Sequence, residues 1–215
     1  GVALGAVTHR LSSLVLDDSK FGSNRFFREF LGTLICPSRG LNRLITGDAW
    51  KLRHQYYKYH DYEKIPVKFS ATIGDRYLAD DNRLFKGSNS PYVELNVNYG
   101  DPLQERTNQP FDYFNFNSTF NAGGNQPLIG SVNLIAKLIG KYLEPVPGHK
   151  IFIGLFQHFD YYDSESVITR SKSIPFKISE AAAFGLGMIY QLPTKNKKVN
   201  IRQSSFLNVI LLGGS

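Results

Sequence analysis

The sequence predicts a mainly β protein: an antiparallel up-and-down barrel of eight or more strands when complete, preceded by a helical segment. Two observations lead to this prediction. The hydrophobic period changes near Pro66 from steps of three and four residues to strict alternation. Seven alternating segments then follow one another without a helix-length gap, which excludes parallel βαβ units. We assign the helical segment to residues 1–54 and the barrel strands to residues 66–215.

Three helices are expected in the first segment. Apolar residues repeat at helical spacing over Val2–Val15, and a Phe- and Leu-rich stripe follows and ends at Pro37. A third, short helix is expected from Ser38 to Ile45, with Gly47 as its stop. The last two helices carry four arginines: Arg25, Arg28, Arg39 and Arg43. These form either a solvated basic face on packed helices or a surface for lipid headgroups or a partner, with the helices plugging, capping or flanking the barrel.

The strand segments are long. Each covers about ten residues or more, against the usual five or six of globular strands. They begin near Val67, Val93, Tyr113, Ser131, Lys150, Phe176 and Val199. Bacterial single-chain barrels close with an even number of strands, so either one strand is missing at an end of the chain or a segment assigned as helical supplies it. The apolar C-terminal run favours the first explanation. We therefore expect the chain to be part of a longer precursor and of a longer barrel.

Alternation alone does not say whether the apolar face meets lipid or a dry core. Strands of this length match a tilted bilayer crossing. Tyrosines near strand ends, such as Tyr99, Tyr142 and Tyr190, are typical of interfacial aromatic girdles. The opposite face carries Asn, Ser, Thr, Lys and Glu, which suits a polar lumen. These features favour a transmembrane barrel in the outer membrane of a Gram-negative envelope; a soluble barrel that binds an apolar ligand stays open.

The charge and composition of the chain indicate which partners and cofactors to expect. The 25 Lys and Arg against 18 Asp and Glu give a net charge of +7, but the basic residues are spread along the chain. Aromatic residues interleave with Asn rather than with Arg and Lys, so we expect no nucleic-acid partner. One Cys and five scattered His leave no metal motif, and we expect no cofactor. Outer-membrane lipid or lipopolysaccharide, and other envelope proteins, are the expected partners.

Several stretches resemble an uncharacterised domain-of-unknown-function family of outer-membrane-associated β-barrel proteins, found mainly in Bacteroidetes. The resemblance lies in residues 1–12, 24–29, 37–45, 47–50, 154–164 and 177–182. Its most specific part is the arginine-rich helical stretch. It implies an envelope location and a barrel fold, and it implies no activity.

The densest polar cluster within an apolar strand surrounds His158. The two-residue period places His158, Asp160 and Tyr162 on one face of the strand. Together with Ser179, or with Ser164 in the following loop, His158 and Asp160 could form a catalytic site for lipid ester hydrolysis or acyl transfer. The alternative is a structural polar network in the barrel lumen, to which we assign Gln157, Tyr162 and Glu180.

The functional expectation is an outer-membrane β-barrel that serves as a structural or accessory subunit of an envelope complex, or as a small channel. An outer-membrane lipid esterase or acyltransferase is the alternative if the protein is an enzyme.

Overall fold

The computed structural model describes residues 2–18, 22–51, 66–80, 83–104, 109–123, 126–164, 176–193 and 201–214. The chain divides into two compact units, Gly1–Ile65 and Pro66–Ser215. The first is helical and the second is a β-sheet. Residues 52–54, which end the predicted helical segment, lie outside the described residues.

The helical unit contains α1 (Val2–Val15), α2 (Gly22–Ile35) and α3 (Pro37–Thr46). Proline occupies the first turn of α3, where the missing N–H has no intrahelical acceptor. Gly47 adopts a left-handed conformation with φ of 73° and caps the helix by donating to the Leu44 carbonyl. The predicted N-terminal helices are confirmed. In the described part of the chain, no helix combines the length and the apolar content needed to cross a membrane.

Glycines let the helices approach closely. A Cβ on Gly32 would lie 2.8 Å from a methyl carbon of Leu16, and a Cβ on Gly40 would lie 2.3 Å from the Thr33 hydroxyl. Gly32 and Gly40 are both buried. The α2–α3 contact therefore depends on the absence of a side chain at residue 40.

The second unit is one antiparallel sheet in which each strand pairs with the next in sequence. Its strands are β1 (Val67–Asp80), β2 (Arg83–Tyr99), β3 (Phe114–Asn121), β4 (Ile129–Val146), β5 (His149–Ser164), β6 (Phe176–Leu192) and β7 (Ile201–Gly214). The predicted antiparallel order is thus confirmed. β1 and β7 are the two edges, and no ladder joins them in the described ranges.

The register sorts side chains onto two faces, because directly paired residues in an antiparallel ladder point to the same side. We use the name outer face for the side of the sheet that carries, from β1 to β5, Phe69, Val97, Phe116, Leu134 and Phe159, and the name inner face for the opposite side. The inner face, followed in the same way, carries Ser70, Asn96, Asn117, Asn133 and Asp160. The sequence pattern therefore becomes an apolar side and a largely polar side of one sheet.

The outer face exposes large apolar side chains on both edge strands and also on β4 and β6, where Ile139 is 61% and Leu186 is 64% exposed. Phe69 is 65% exposed and Ile73 is 82% exposed on β1, and Leu207 is 75% exposed on β7. Val97 and Leu134, on the central strands, are buried. The outer face thus combines exposed apolar side chains with a buried apolar patch on β2 and β4.

Glycines also shape the inner face. Gly140, Gly154 and Gly187 lie side by side on β4, β5 and β6. Aromatic rings occupy the space that their side chains would fill: a Cβ on Gly187 would lie 2.5 Å from the Phe156 ring and 2.6 Å from the Phe206 ring. Rings lying over strand glycines allow dense packing where the sheet bends.

The β2–β3 connection folds back over the inner face. Leu103 packs with Phe152, Phe156 and Ile189 in a buried cluster. The connection begins at Gly100, whose φ of 77° brings its Cα close to the Asp112 carbonyl. The loop therefore links two neighbouring strands while filling space in front of β5 and β6.

Candidate functional site

A row of polar side chains crosses the inner face from β2 to β5. Asn117 donates to the Glu94 carboxylate at 2.6 Å, and Asn133 donates to the Asp160 carboxylate at 2.8 Å. Asn117 and Asn133 are direct partners in the β3–β4 register. We call these four residues the amide row. Each carboxylate has a neutral amide donor, so the row is suited to hold hydrogen bonds on a half-buried surface.

His158 lies on the inner face, next to the amide row along β5. It is buried, between Ile135 on β4 and Ala183 on β6 in register, and its ring meets the Phe206 ring edge-on at 5.2 Å. Its Nε2 atom is buried without a hydrogen-bond partner in the described part of the chain. His158 and Asp160 share a face, as their spacing predicts.

Ser179 lies on the other side of the sheet. It pairs with Tyr161, which points to the outer face, whereas His158 points to the inner face. The sheet therefore does not bring the predicted nucleophile, Ser179, to the predicted base, His158. The Ser164 side chain lies outside the described part.

The residues predicted for a lumen network divide between the faces. Tyr162 and Glu180 fall on the inner face, where Glu180 pairs with Asp160 across the β5–β6 ladder. Gln157 pairs with Ala136 and Phe184 on the outer face. Its assignment to the network is thus corrected, because one residue along a strand reverses the direction of the side chain.

A buried ion pair holds the β2–β3 loop against the sheet. The Lys137 ammonium on β4 pairs with the Asp112 carboxylate. The second oxygen of this carboxylate accepts a hydrogen bond from the backbone N–H of Gln109 at 3.1 Å. The Lys137 backbone adds two bonds, accepting from Phe111 N–H and donating to the Tyr113 carbonyl. Sequence reasoning missed this pair. The available signal was a lysine within an apolar stretch of strand, Ile135 to Ile139.

The two sheet edges border one cavity of about 420 Å³. Lys68 of β1 and Arg202 of β7 line it, with Asp101 and Tyr113 of the loop between them. Arg202 forms an ion pair with Asp101 at 3.4 Å and lies 5.9 Å from the centre of the Tyr113 ring. Burial raises the pKa of the Tyr113 hydroxyl, and the nearby Arg202 charge opposes that rise. The edges thus border a common space, although no ladder pairs them in the ranges that the structure describes.

Two of the four helix arginines are engaged in holding the helices together. Arg43 on α3 donates to both oxygens of Glu29 on α2, at 3.1 and 2.6 Å, and to Asp18 at 2.5 Å. Burial would lower the pKa of Arg43, but these hydrogen bonds outweigh it and raise that pKa. Arg39 donates to the His9 carbonyl at 3.0 Å and to the Ser12 hydroxyl at 2.9 Å. Arg39 and Arg43, predicted to bind headgroups or a partner, thus make structural contacts within the helical unit.

Arg25 and Arg28 donate hydrogen bonds to backbone carbonyls and to a neutral side chain. Arg25 donates to the carbonyls of Asp48 and Lys51, at 3.2 and 2.8 Å. Arg28 donates to the Asn24 side chain and to the Val15 carbonyl. Arg25 also lines a cavity of about 440 Å³ between α2 and the turn after α3.

No group of three or more His, Cys, Asp or Glu side chains in the described ranges is arranged to hold a metal ion. The chemistry present is that of hydrogen bonds, ion pairs and apolar surface. No protein-family model, no curated protein and no solved structure matches this chain.

Proposed function

We propose that this chain is part of an outer-membrane β-barrel protein of a Gram-negative envelope, with a structural or accessory role in an envelope complex. The observation that carries the proposal is the contrast between the faces of the sheet. Large apolar side chains are exposed at both margins of the outer face, whereas the inner face holds the amide row. In a bilayer the first would contact acyl chains and the second an enclosed polar interior.

Two further features support this proposal. The strands have 8–18 residues, and six of the seven have 14 or more, which is enough to span a bilayer with tilt. Lys68 and Arg202, on opposite edges, border one cavity, as expected of a curled sheet approaching closure.

An accessory role is preferred to an open channel because the β2–β3 loop fills part of the inner face. Leu103 is buried against Phe152 and Phe156, and the Asp112–Lys137 pair fixes the loop. We expect no steady conductance from the protein in planar bilayers. A persistent open-pore current would overturn the accessory role and favour a channel.

Membrane insertion is tested with a matched pair of variants on β7. Leu207 lies on the exposed outer face, and Ser204 on the same strand lies on the inner face. Leu207→Arg is expected to reduce the fraction of protein that stays in membranes after a carbonate wash, since Arg on a lipid-facing strand costs up to about 2–4 kcal/mol. Ser204→Arg is expected to behave like the wild type. Release of the wild type by carbonate, or equal effects of the two variants, would contradict the proposal.

A further inference from the structure

The helical unit exposes an unusual amount of apolar side chain. On α2, α3 and the turn after α3, the exposed large apolar residues are Phe26, Phe27, Phe30, Leu34, Leu41, Leu44, Ile45 and Trp50. Trp50 is 72% exposed and Ile45 is 84% exposed. Contiguous apolar surface on a protein marks a site of interaction with a partner or a membrane.

Part of this surface surrounds a cavity. Phe26, Phe30, Leu44, Ala49 and Trp50 contribute to the lining of the 440 Å³ space beside α2. Phe26 and Phe30 are one helical turn apart, so they form one side of the opening. The cavity is therefore walled mainly by aromatic and aliphatic side chains.

Arg25 holds the rim of the cavity in place. Its Nη2 donates to the carbonyls of Asp48 and Lys51, which flank Trp50 in the chain. Its Nε has no hydrogen-bond partner in the described residues. A cationic group thus stands at the mouth of an apolar cavity, next to an exposed indole.

The net charge of the helical unit indicates what binds to its apolar surface. Residues 1–51 contain seven Lys and Arg against four Asp and Glu. Asp18 and Glu29 pair with Arg43, and Asp48 pairs with Lys51. An apolar surface bordered by Trp and by excess cations is typical of a protein that lies in the interface of an anionic membrane.

We propose that the helical unit binds the surface of an anionic phospholipid bilayer, with Trp50, Ile45 and Phe26 among the acyl chains and Arg25 at the phosphate level. This site deepens the membrane role proposed above, but it does not depend on the sheet for its chemistry. A second copy of the chain or a protein partner would use the same apolar surface without requiring lipid charge.

The single tryptophan of the chain makes the test specific. The full chain is mixed with vesicles of phosphatidylglycerol and phosphatidylcholine, with or without bromine on the acyl chains. We expect brominated chains to quench Trp50 emission by about half or more, because an interfacial indole lies within reach of the upper acyl chain. In vesicles of phosphatidylcholine alone the quenching should fall severalfold.

Variants locate the contact. Ile45→Ser and Phe26→Ser are expected to reduce the quenching, while Leu128→Ser, at an exposed apolar position in the loop before β4, should leave it unchanged. Far-ultraviolet circular dichroism confirms that each variant is folded. Unquenched Trp50 in brominated anionic vesicles would overturn the inference. Quenching as strong in neutral vesicles as in anionic ones would also overturn it, and so would quenching in the Ile45→Ser and Phe26→Ser variants as strong as in the wild type.

The carbonate wash separates this inference from the proposed function. Protein that resists the wash while Trp50 stays unquenched would retain the barrel and remove the helical membrane site. If the carbonate wash releases the protein although Trp50 is quenched in brominated vesicles, the inferred membrane site stands and the proposed barrel is contradicted.

Discussion

Lys137 on β4 and Asp112 in the β2–β3 loop form an ion pair that is almost completely withdrawn from solvent, with side chains 2% and 4% exposed. The Lys137 ammonium also lies 5.4 Å from the centre of the Phe152 ring. The pair thus connects the loop to the aromatic cluster of the inner face. Its charges stabilise the fold only together, since each one alone would be a buried, uncompensated ion.

Removal of the carboxylate alone is expected to be costly. Asp112→Ala leaves the Lys137 ammonium buried without its counter-ion, and we expect a loss of about 3–5 kcal/mol in the free energy of unfolding. Urea unfolding of the protein in detergent micelles measures this change. A loss below about 1 kcal/mol would mean that water reaches Lys137 and that the pair is not a buried one.

Replacement of both partners supplies the control. Lys137→Met combined with Asp112→Leu exchanges the two charges for apolar groups of similar size. We expect the double variant to be considerably more stable than Asp112→Ala and close to the wild type, because replacing a whole buried ion pair is often neutral. Stability as low as that of the single variant would show that the geometry of the loop, rather than the charge, is what matters.

Arg43 is expected to be essential to the helical unit. Arg43→Lys keeps the charge but loses the planar fork that serves Glu29 and Asp18 together, so we expect a loss of about 1–3 kcal/mol. Trp50 emission during urea unfolding reports this unit, since the chain has no other tryptophan. Arg28→Lys is the matched control and should shift the midpoint less, because Arg28 has no carboxylate partner among the contacts described. Equal midpoints for the two variants would contradict the assigned role of Arg43.

Local signals in the sequence predicted most of the secondary structure. Pro37 and Gly47 mark the ends of α3 because they restrict the backbone where they stand. Alternation located the strands because successive side chains of a strand point to opposite faces of the sheet. The first half of β2 was missed: the segment was expected from Val93, whereas the strand begins at Arg83. Residues 83–90 are mainly polar and do not alternate, and they become a strand through pairing with β1.

The site was less predictable, because its contacts join residues distant in the chain. Asp112 meets Lys137 only after the β2–β3 loop folds over the inner face. The engagement of Arg39 and Arg43 depends on the packing of three helices, which their spacing does not reveal. The separation of Ser179 from His158 follows from the register of β5 with β6, which also contains irregular pairing near Glu180. Residue type alone fixes none of these relationships.

Gly40 is expected to tolerate no side chain. A Cβ there would overlap Thr33, and we expect Gly40→Ala to destabilise the helical unit by about 1–3 kcal/mol. Gly5→Ala is the matched control: nothing lies within 4 Å of a Cβ at Gly5, so this change should stabilise α1 by up to about 1 kcal/mol through helix propensity. Trp50-monitored unfolding measures both. Equal effects of the two changes would show that the α2–α3 contact is looser than described.

Gly187 provides the corresponding test for the sheet. A Cβ at this residue would press on the rings of Phe156 and Phe206, so Gly187→Ala should cost about 1–3 kcal/mol of sheet stability. Gly214→Ala, with only the Ser179 hydroxyl at 3.7 Å, is expected to change stability by less than about 0.5 kcal/mol.

The overlap at Gly187 predicts a specific coupling. Phe156→Leu alone should destabilise the inner face, because Phe156 is fully buried in the aromatic cluster. In the double variant, Gly187→Ala with Phe156→Leu, the smaller leucine side chain makes room for the new Cβ. The stability losses of the two single variants should therefore sum to more than the loss of the double variant, by about 0.5–3 kcal/mol. Urea unfolding followed by tyrosine emission or circular dichroism completes the cycle. Simple additivity would mean that Phe156 does not lie over Gly187, and that something other than ring packing requires glycine in this strand.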